Sequence, residues 1–189
     1  MHDRTLALLT MLFFGSELGL ALFRRSRGAA GATRSDGGSL RLLWIVITLA
    51  VTLAFAVSGF RPARLRFSPA WIRNVAVLLF AGGLAIRWWA VITLGKFFTV
   101  DVATHEDHAL VSTGPFRFVR HPSYTGLLLA FLGFGVSLGN ALSLLVLIAP
   151  IVLTLSYRMR VEEAALRRSL GASYDAYAAR TKRLIPGII

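Results

Sequence analysis

The stretch TGLLLAFLGFGVSLGNALSLLVLIAPIVLTLSY, residues Thr125 to Tyr157, decides how this 189-residue chain folds. A membrane-spanning helix needs about 20 apolar residues, so the run is too long for one ordinary span and short for two. Gly139-Asn140, near its middle, is a turn dipeptide. The stretch therefore predicts a tight helical hairpin, with Pro150 kinking the second arm. Gly126, Ala130 and Gly133 fall at i, i+4 and i+7 and give the first arm a smooth face that another helix can approach closely, although plain packing also accounts for such residues. A hairpin returns the chain to the side it left. Whatever precedes Thr125 and whatever follows Tyr157 must then share one surface.

Working outward, the rest of the chain has the same oily character. It is 56% hydrophobic with a mean hydropathy of +0.66, against about 45–50% apolar in a soluble domain. The expected fold class is all-α, an integral membrane bundle of about five transmembrane helices with a C-terminal helical hairpin and cytoplasmic tail helices. The upstream spans are Leu6–Phe23, Leu42–Phe60 and about Trp71–Leu94. A signal peptide competes for the first, but Arg24, Arg25 and Arg27 follow it where a small-residue cleavage site belongs. Residues 1–70 supply two N-terminal spans and a basic loop, and 71–189 a catalytic core. Arg87 lies inside the third span, about 10 Å from Leu94 at 1.5 Å per residue, close enough to snorkel toward a polar surface or pair with a carboxylate there.

The charge of +12 could suggest nucleic acid, but no basic stripe lies on a soluble module. Membrane orientation and anionic headgroups explain the arginines better. With five spans, fifteen Lys and Arg fall on the hairpin's open side and five on the other, which predicts that this side faces the cytoplasm. Disulfides and thiolate chemistry are excluded because there is no cysteine.

Between the third span and the hairpin lies the polar stretch Leu94–Gly126, which is expensive at a membrane surface unless it has a task. In Arg120-His121-Pro122-Ser123-Tyr124, Pro122 suits a first helical position with His121 as cap, leaving backbone N–H groups open to an anion. An interfacial helix start with Arg120 on headgroup phosphates is the plainer alternative. Arg158 and Glu162 share a helical face one turn beyond the last span, a spacing that also fits an exposed salt bridge. His105-Glu106-Asp107-His108 tempts toward a metal, but consecutive residues cannot all converge on one ion, so no metal site is expected. After Tyr157, a helix through Leu170 should stop at Gly171, and Ser173 should cap another from Tyr174 to about Lys182.

Two separated motifs carry a family resemblance. His108-Ala109-Leu110-Val111, Gly114, Arg120-His121-Pro122-Ser123-Tyr124 and Gly126 resemble the central motif of the isoprenylcysteine carboxyl methyltransferases. Arg158, Glu162-Glu163, Gly171, Tyr174, Tyr177 and Ile185-Pro186 are similar to that family's C-terminal pattern in order and spacing. The resemblance implies a membrane enzyme that uses S-adenosylmethionine to methylate the carboxylate of a lipid-modified cysteine. It implies a cofactor site of His108, Ala109, Leu110, Val111, Phe116, His121, Pro122, Ser123, Tyr124 and Glu162, with Arg158 on the acceptor. Arg158 and Arg120 are the candidate catalytic residues. Phe116 stands where eukaryotic members have tyrosine, and Asp101 where a glutamine is expected.

The implied partners are the lipid bilayer and a lipophilic methyl acceptor, with no nucleic acid. A nicotinamide-dependent sterol-type reductase and a non-catalytic protein of the same fold are the competing readings. A small transporter would show paired broken helices or inverted repeats, and none is visible.

Overall fold

The computed structural model describes residues 4–23, 33–34, 38–95, 103–104 and 110–188. Among the described residues six α-helices follow one another: α1 (Arg4–Phe23), α2 (Ser39–Val57), α3 (Pro69–Leu94), α4 (Pro122–Ser137), α5 (Ala141–Leu170) and α6 (Ala172–Arg180). Short 3-10 turns occupy Arg61–Ala63 and Gly114–Arg117. A two-residue antiparallel ladder pairs β1 (Thr33–Arg34) with β2 (Ala103–Thr104), Thr33 opposite Thr104.

The hairpin is built as its composition required. Gly139 takes a left-handed φ of +64° between α4 and α5. Asn140 then does two jobs from a buried position. Its Oδ1 accepts from the amides of Leu142 and Ser143 at 2.9 and 3.1 Å, capping α5. Its Nδ2 donates to the carbonyls of Ser58 and Phe60 at 3.2 and 2.9 Å, fixing the end of α2 to the hairpin turn. At the start of α3, the Ser68 hydroxyl accepts from the Trp71 amide at 3.2 Å, with Pro69 in the first turn.

The smooth face of α4 receives α3. A Cβ at Gly126 would stand 2.6 Å from the Arg87 amide nitrogen, and one at Gly133 would stand 2.6 Å from that of Phe80. Backbone therefore touches backbone along this seam. α2 lies against α5, where the Ser143 hydroxyl donates to the Ala54 carbonyl at 2.8 Å. Leu147, Ile151 and Leu155 of α5 are fully buried in the core. Phe13 of α1 meets Phe80 and Phe131 edge-on at 5.8 and 5.6 Å, while Leu20 packs with Val91. Those contacts run α1 parallel to α3. The ends of α1 to α5 therefore alternate between two levels, which puts the start of α4 and the last third of α5 together.

α2, α3 and α5 are long and apolar enough to cross a membrane. α4 has 16 residues, about 24 Å at 1.5 Å per residue and shorter than a hydrocarbon core of about 30 Å. Large apolar side chains such as Met11, Leu49, Leu78, Ile92 and Leu153 point outward and are exposed. An outward apolar face on a helical bundle is what lipid covers. This is an all-helical integral membrane protein.

α5 runs unbroken through Pro150 to Leu170, so the last span and first tail helix are one element. The cap of α6 differs from expectation. Gly171, at φ +53°, ends α5 and also starts α6, and the Ser173 hydroxyl instead donates back to the Leu170 carbonyl at 2.6 Å. One glycine makes the whole turn, so Ser173 already lies inside the helix.

Candidate active site

The polar end of the bundle is assembled by the chain beyond α6 folding back onto the start of α4. The amides of Arg120 and His121 donate to the carbonyls of Lys182 and Arg183 at 2.7 and 2.9 Å, a short parallel bridge centred on Val119 and Lys182. Beneath it sits Glu163, fully buried. Its carboxylate accepts from Arg120 Nε at 3.1 Å and from Arg183 Nη2 and Nε at 2.8 and 3.0 Å. His121 Nε2 lies 3.3 Å away and Arg167 Nη2 at 3.9 Å. A carboxylate so deep is tolerable only with this many charge-assisted partners. Arg120 also donates from Nη1 to the carbonyls of Ala178, at 2.7 Å, and Thr181. Nη1 thus holds the tail while Nε holds Glu163.

A second string of contacts starts from the preceding residue of α5. The Tyr124 hydroxyl donates to Glu162 Oε2 at 2.8 Å and accepts from Arg158 Nε at 2.9 Å. Arg158 Nη1 in turn donates to the Ser39 hydroxyl of α2 at 2.8 Å. His121 Nδ1 lies 3.7 Å from Glu162, and the His121 and Tyr124 rings stack at 5.4 Å. The Glu162 side chain is 32% exposed where that of Glu163 is fully covered. Of the two adjacent acids, Glu162 alone offers a carboxylate to something outside the protein.

Arg87 closes the far side of the start of α4. It forms a two-pronged pair with Glu17 of α1, Nη2 to Oε2 at 2.6 Å and Nε to Oε1, and donates from Nη1 to the Ser123 hydroxyl at 2.7 Å. Because α1 runs parallel to α3, Glu17 reaches the depth of Arg87, and each charge is compensated where it lies.

The structure therefore brings Arg120, His121, Tyr124, Arg158 and Glu162 to one end of the bundle, with Pro122 buried in the first turn of α4. Ser123 faces Arg87. Phe116 is buried, and its carbonyl accepts from the Tyr177 hydroxyl at 2.7 Å. Leu110 and Val111 are partly exposed. His108 and Ala109 lie outside the described residues, as do Lys96, Asp101 and His105–Asp107. His121 precedes α4 but makes no side-chain cap, because its ring is turned to the two glutamates. Ser39, Glu163 and Arg183 were not singled out from the sequence. Glu163 appeared there only as a member of a motif, and nothing local distinguishes it from Glu162.

Tyr174 and Tyr177 seat α6 with opposite energetics. Burial pushes the Tyr177 phenol up to about 12, and it also raises that of Tyr174. The Tyr177 hydroxyl has its carbonyl partner, whereas that of Tyr174 is buried without a hydrogen-bond partner among the described residues. Tyr177→Phe is expected to destabilise by about 1 kcal/mol, and Tyr174→Phe to be neutral or stabilising, as read by thermal unfolding in detergent. The native fold holds the Tyr177 proton more tightly than the unfolded chain does. That contribution is complete below about pH 10, the ordinary tyrosine value, and is lost as pH rises toward about 12.

Residues 75–168 match the isoprenylcysteine carboxyl methyltransferase (ICMT) family. The chain is 32% identical over 118 residues to protein-S-isoprenylcysteine O-methyltransferase B of Arabidopsis thaliana, covering 61% of this chain and 60% of that protein. It is 36% identical over 106 residues to the Schizosaccharomyces pombe protein-S-isoprenylcysteine O-methyltransferase, covering 55% and 45%. The solved structure of the eukaryotic intramembrane Ras methyltransferase ICMT superposes with a TM-score of 0.59 at 25% identity, over 77% of this chain and 52% of that one. The chain thus spans about 60% of the length of the plant relative it matches. The matched segment runs from α3 through both glutamates of α5, the elements that carry the site. From α3 to α5 this chain matches the isoprenylcysteine carboxyl methyltransferase family, and it shares the fold of that family's solved structure.

Proposed function

We propose that the chain is an S-adenosylmethionine-dependent methyltransferase that esterifies the carboxylate of a lipidic, isoprenylcysteine-like acceptor at the membrane surface. The observation that carries this reading is the string Arg158–Tyr124–Glu162, in which a buried cation and a half-exposed carboxylate are held apart by one phenol. When bound, the cofactor supplies an electrophilic methyl group on a sulfonium. The donor set fits such a group. Glu162 spends one oxygen on Tyr124 and keeps acceptor capacity for ribose hydroxyls or an amino group. The stacked His121 and Tyr124 rings suit the nucleoside, and the family resemblance adds His108, Ala109, Leu110, Val111 and Phe116 to the same assignment.

The acceptor carboxylate is ionised at neutral pH and needs no general base. What the protein must supply is alignment, which contributes up to about 7–11 kcal/mol in ideal cases. Arg158, held by Ser39 on one side and Tyr124 on the other, presents a fixed cation that orients the acceptor carboxylate. Two opposite charges vanish along the reaction, so a site at the polar end of the bundle that borders its apolar helices favours that loss of charge. Arg120 acts through Glu163 and the tail as a positioning residue. Pro122 starts α4 so that His121 and Tyr124 face α5.

Arg158→Ala is expected to raise the acceptor KM or lower turnover by about 10- to 150-fold, the equivalent of one hydrogen bond to a charged group. Binding of S-adenosylhomocysteine should persist. Glu162→Gln should show the reverse and lose the nucleoside. Tritium-methyl transfer with a prenylcysteine acceptor, beside calorimetry with S-adenosylhomocysteine and with NADPH, measures both. Equal loss of nucleoside and acceptor in Arg158→Ala reassigns that arginine. Binding of NADPH in place of S-adenosylhomocysteine replaces methyl transfer by reduction.

A further inference from the structure

The pair formed by Glu17 and Arg87 stands outside the string Arg158–Tyr124–Glu162, yet it is bonded to the same turn of α4. Arg87 sits on α3 about two turns before its end at Leu94, and Glu17 comes from α1. Both are buried, and neither falls in the two motifs read from the sequence. An ion pair at such a depth costs desolvation that its own attraction barely offsets, and apolar side chains of similar volume would join α1 to α3 as well. Stability therefore does not account for charges there. Ionisable side chains among membrane helices mark a functional site more often than a structural one.

The guanidinium shows what the pair serves. Both oxygens of Glu17 engage it, Oε2 accepting from Nη2 at 2.6 Å and Oε1 from Nε. A planar fork held at two nitrogens has its third one aimed. That third nitrogen, Nη1, points at Ser123, 2.7 Å from the hydroxyl and 3.4 Å from the carbonyl oxygen. α3 is already pressed on α4 at this level, since a Cβ at Gly126 would stand 2.8 Å from that of Arg87. Ser123, Tyr124 and Thr125 are consecutive in a helix, so at about 100° per residue they look in three directions. Each is bonded to a different element. Ser123 meets Arg87 of α3, Tyr124 meets Arg158 and Glu162 of α5, and the Thr125 hydroxyl donates to the Leu184 carbonyl beyond α6 at 2.8 Å. Arg87 is the α3 side of a three-point grip on the turn that carries Tyr124 and the stacked His121 ring.

We infer that Arg87, aimed by Glu17, is a positioning residue: through Ser123 it fixes the first turn of α4 so that the His121–Tyr124 stack and Glu162 meet the nucleoside in register. The ligand named here rests on the methyl-transfer reading; the grip on the turn does not. Without the Nη1 contact the turn is held only from α5 and the tail, and the stack loses its fixed angle. The acceptor side keeps its own brace, because Arg158 is bonded to Ser39 of α2. Nucleoside binding should therefore weaken while acceptor binding holds.

The test uses the full chain in detergent and two substitutions that spare the ion pair. Arg87→Lys keeps a cation for Glu17 but has no second prong for Ser123, and Ser123→Ala removes the accepting hydroxyl. Each should nearly retain Tm, raise the Kd for S-adenosylhomocysteine about tenfold with the acceptor KM unchanged, and speed hydrogen exchange across residues 121–126. The double variant should bind no more weakly than either single one, because both remove the same contact. Additive losses would place Ser123 itself on the nucleoside and overturn the inference. Wild-type affinity and exchange in Arg87→Lys would overturn it too, as would a matched rise of both KM values with a large fall in Tm. If the unaltered chain binds no S-adenosylhomocysteine, the methyl-transfer reading fails by itself. Faster exchange of the turn in Arg87→Lys at retained Tm would then still support the grip, and unchanged exchange would sink it.

Discussion

Glu163→Gln is expected to lower stability by about 3–5 kcal/mol, the usual cost of removing one partner from a buried charge cluster. For a chain of this size that is a fall in Tm of about 6–20 °C. The substitution keeps the side chain's shape and removes its charge. Arg120 and Arg183, which converge on the carboxylate at 3.1 and 2.8 Å, would then share a buried site with no anion. The first structural consequence should be release of the chain beyond α6, since Arg120 and Arg183 connect it to the bundle through Glu163. Limited proteolysis beyond Leu170 should therefore accelerate along with the fall in Tm. Glu162→Gln is the matched control. It removes the same charge one residue earlier, from a half-exposed side chain with a single tyrosine donor, and should cost about 1 kcal/mol or less. If the two variants unfold together, Glu163 does not hold the tail.

Breaking the pair between Glu17 and Arg87 should cost as much, for a different reason. Glu17→Gln leaves a guanidinium at a depth where no other acid among the described residues pairs with it, and Arg87→Met leaves a carboxylate among apolar helices. Each single substitution is expected to destabilise by about 3–5 kcal/mol, whereas replacing both by apolar residues of similar volume should be near neutral or stabilising. The double variant Glu17→Leu/Arg87→Met thus tests the pair through its coupling energy. Additive losses would show that the two side chains act independently. The same double variant removes the Arg87 contact to Ser123 while restoring charge balance. A deficit in the proposed methyl transfer that persists at recovered Tm would then report on how the first turn of α4 is held.

These two clusters mark the boundary of what could be read from residue order. The hairpin was legible because its signals are local: a run of apolar residues of awkward length with Gly139-Asn140 at its centre. Its consequence was legible too, since a chain that turns back must bring His121 and Glu162 to one end, and they lie 3.7 Å apart. The glycine face of α4 announced a close neighbour, but not that the neighbour is α3. Arg87 and Glu17 were each visible as charges in apolar runs. Seventy residues separate them, and only the parallel placement of α1 on α3 makes them a pair.

Glu162 and Glu163 show the same limit at the smallest scale. Adjacent helical residues point about 100° apart, at 3.6 residues per turn, so one must face inward if the other looks out. Which one turns inward depends on where the returning tail places Arg183 and on how the start of α4 presents Arg120. Periodicity, caps and hydropathy act within a few residues along the chain and specify the helices and the turn between them. The partner of each buried charge is chosen by how those helices lie side by side, and that arrangement exists only once the bundle has closed.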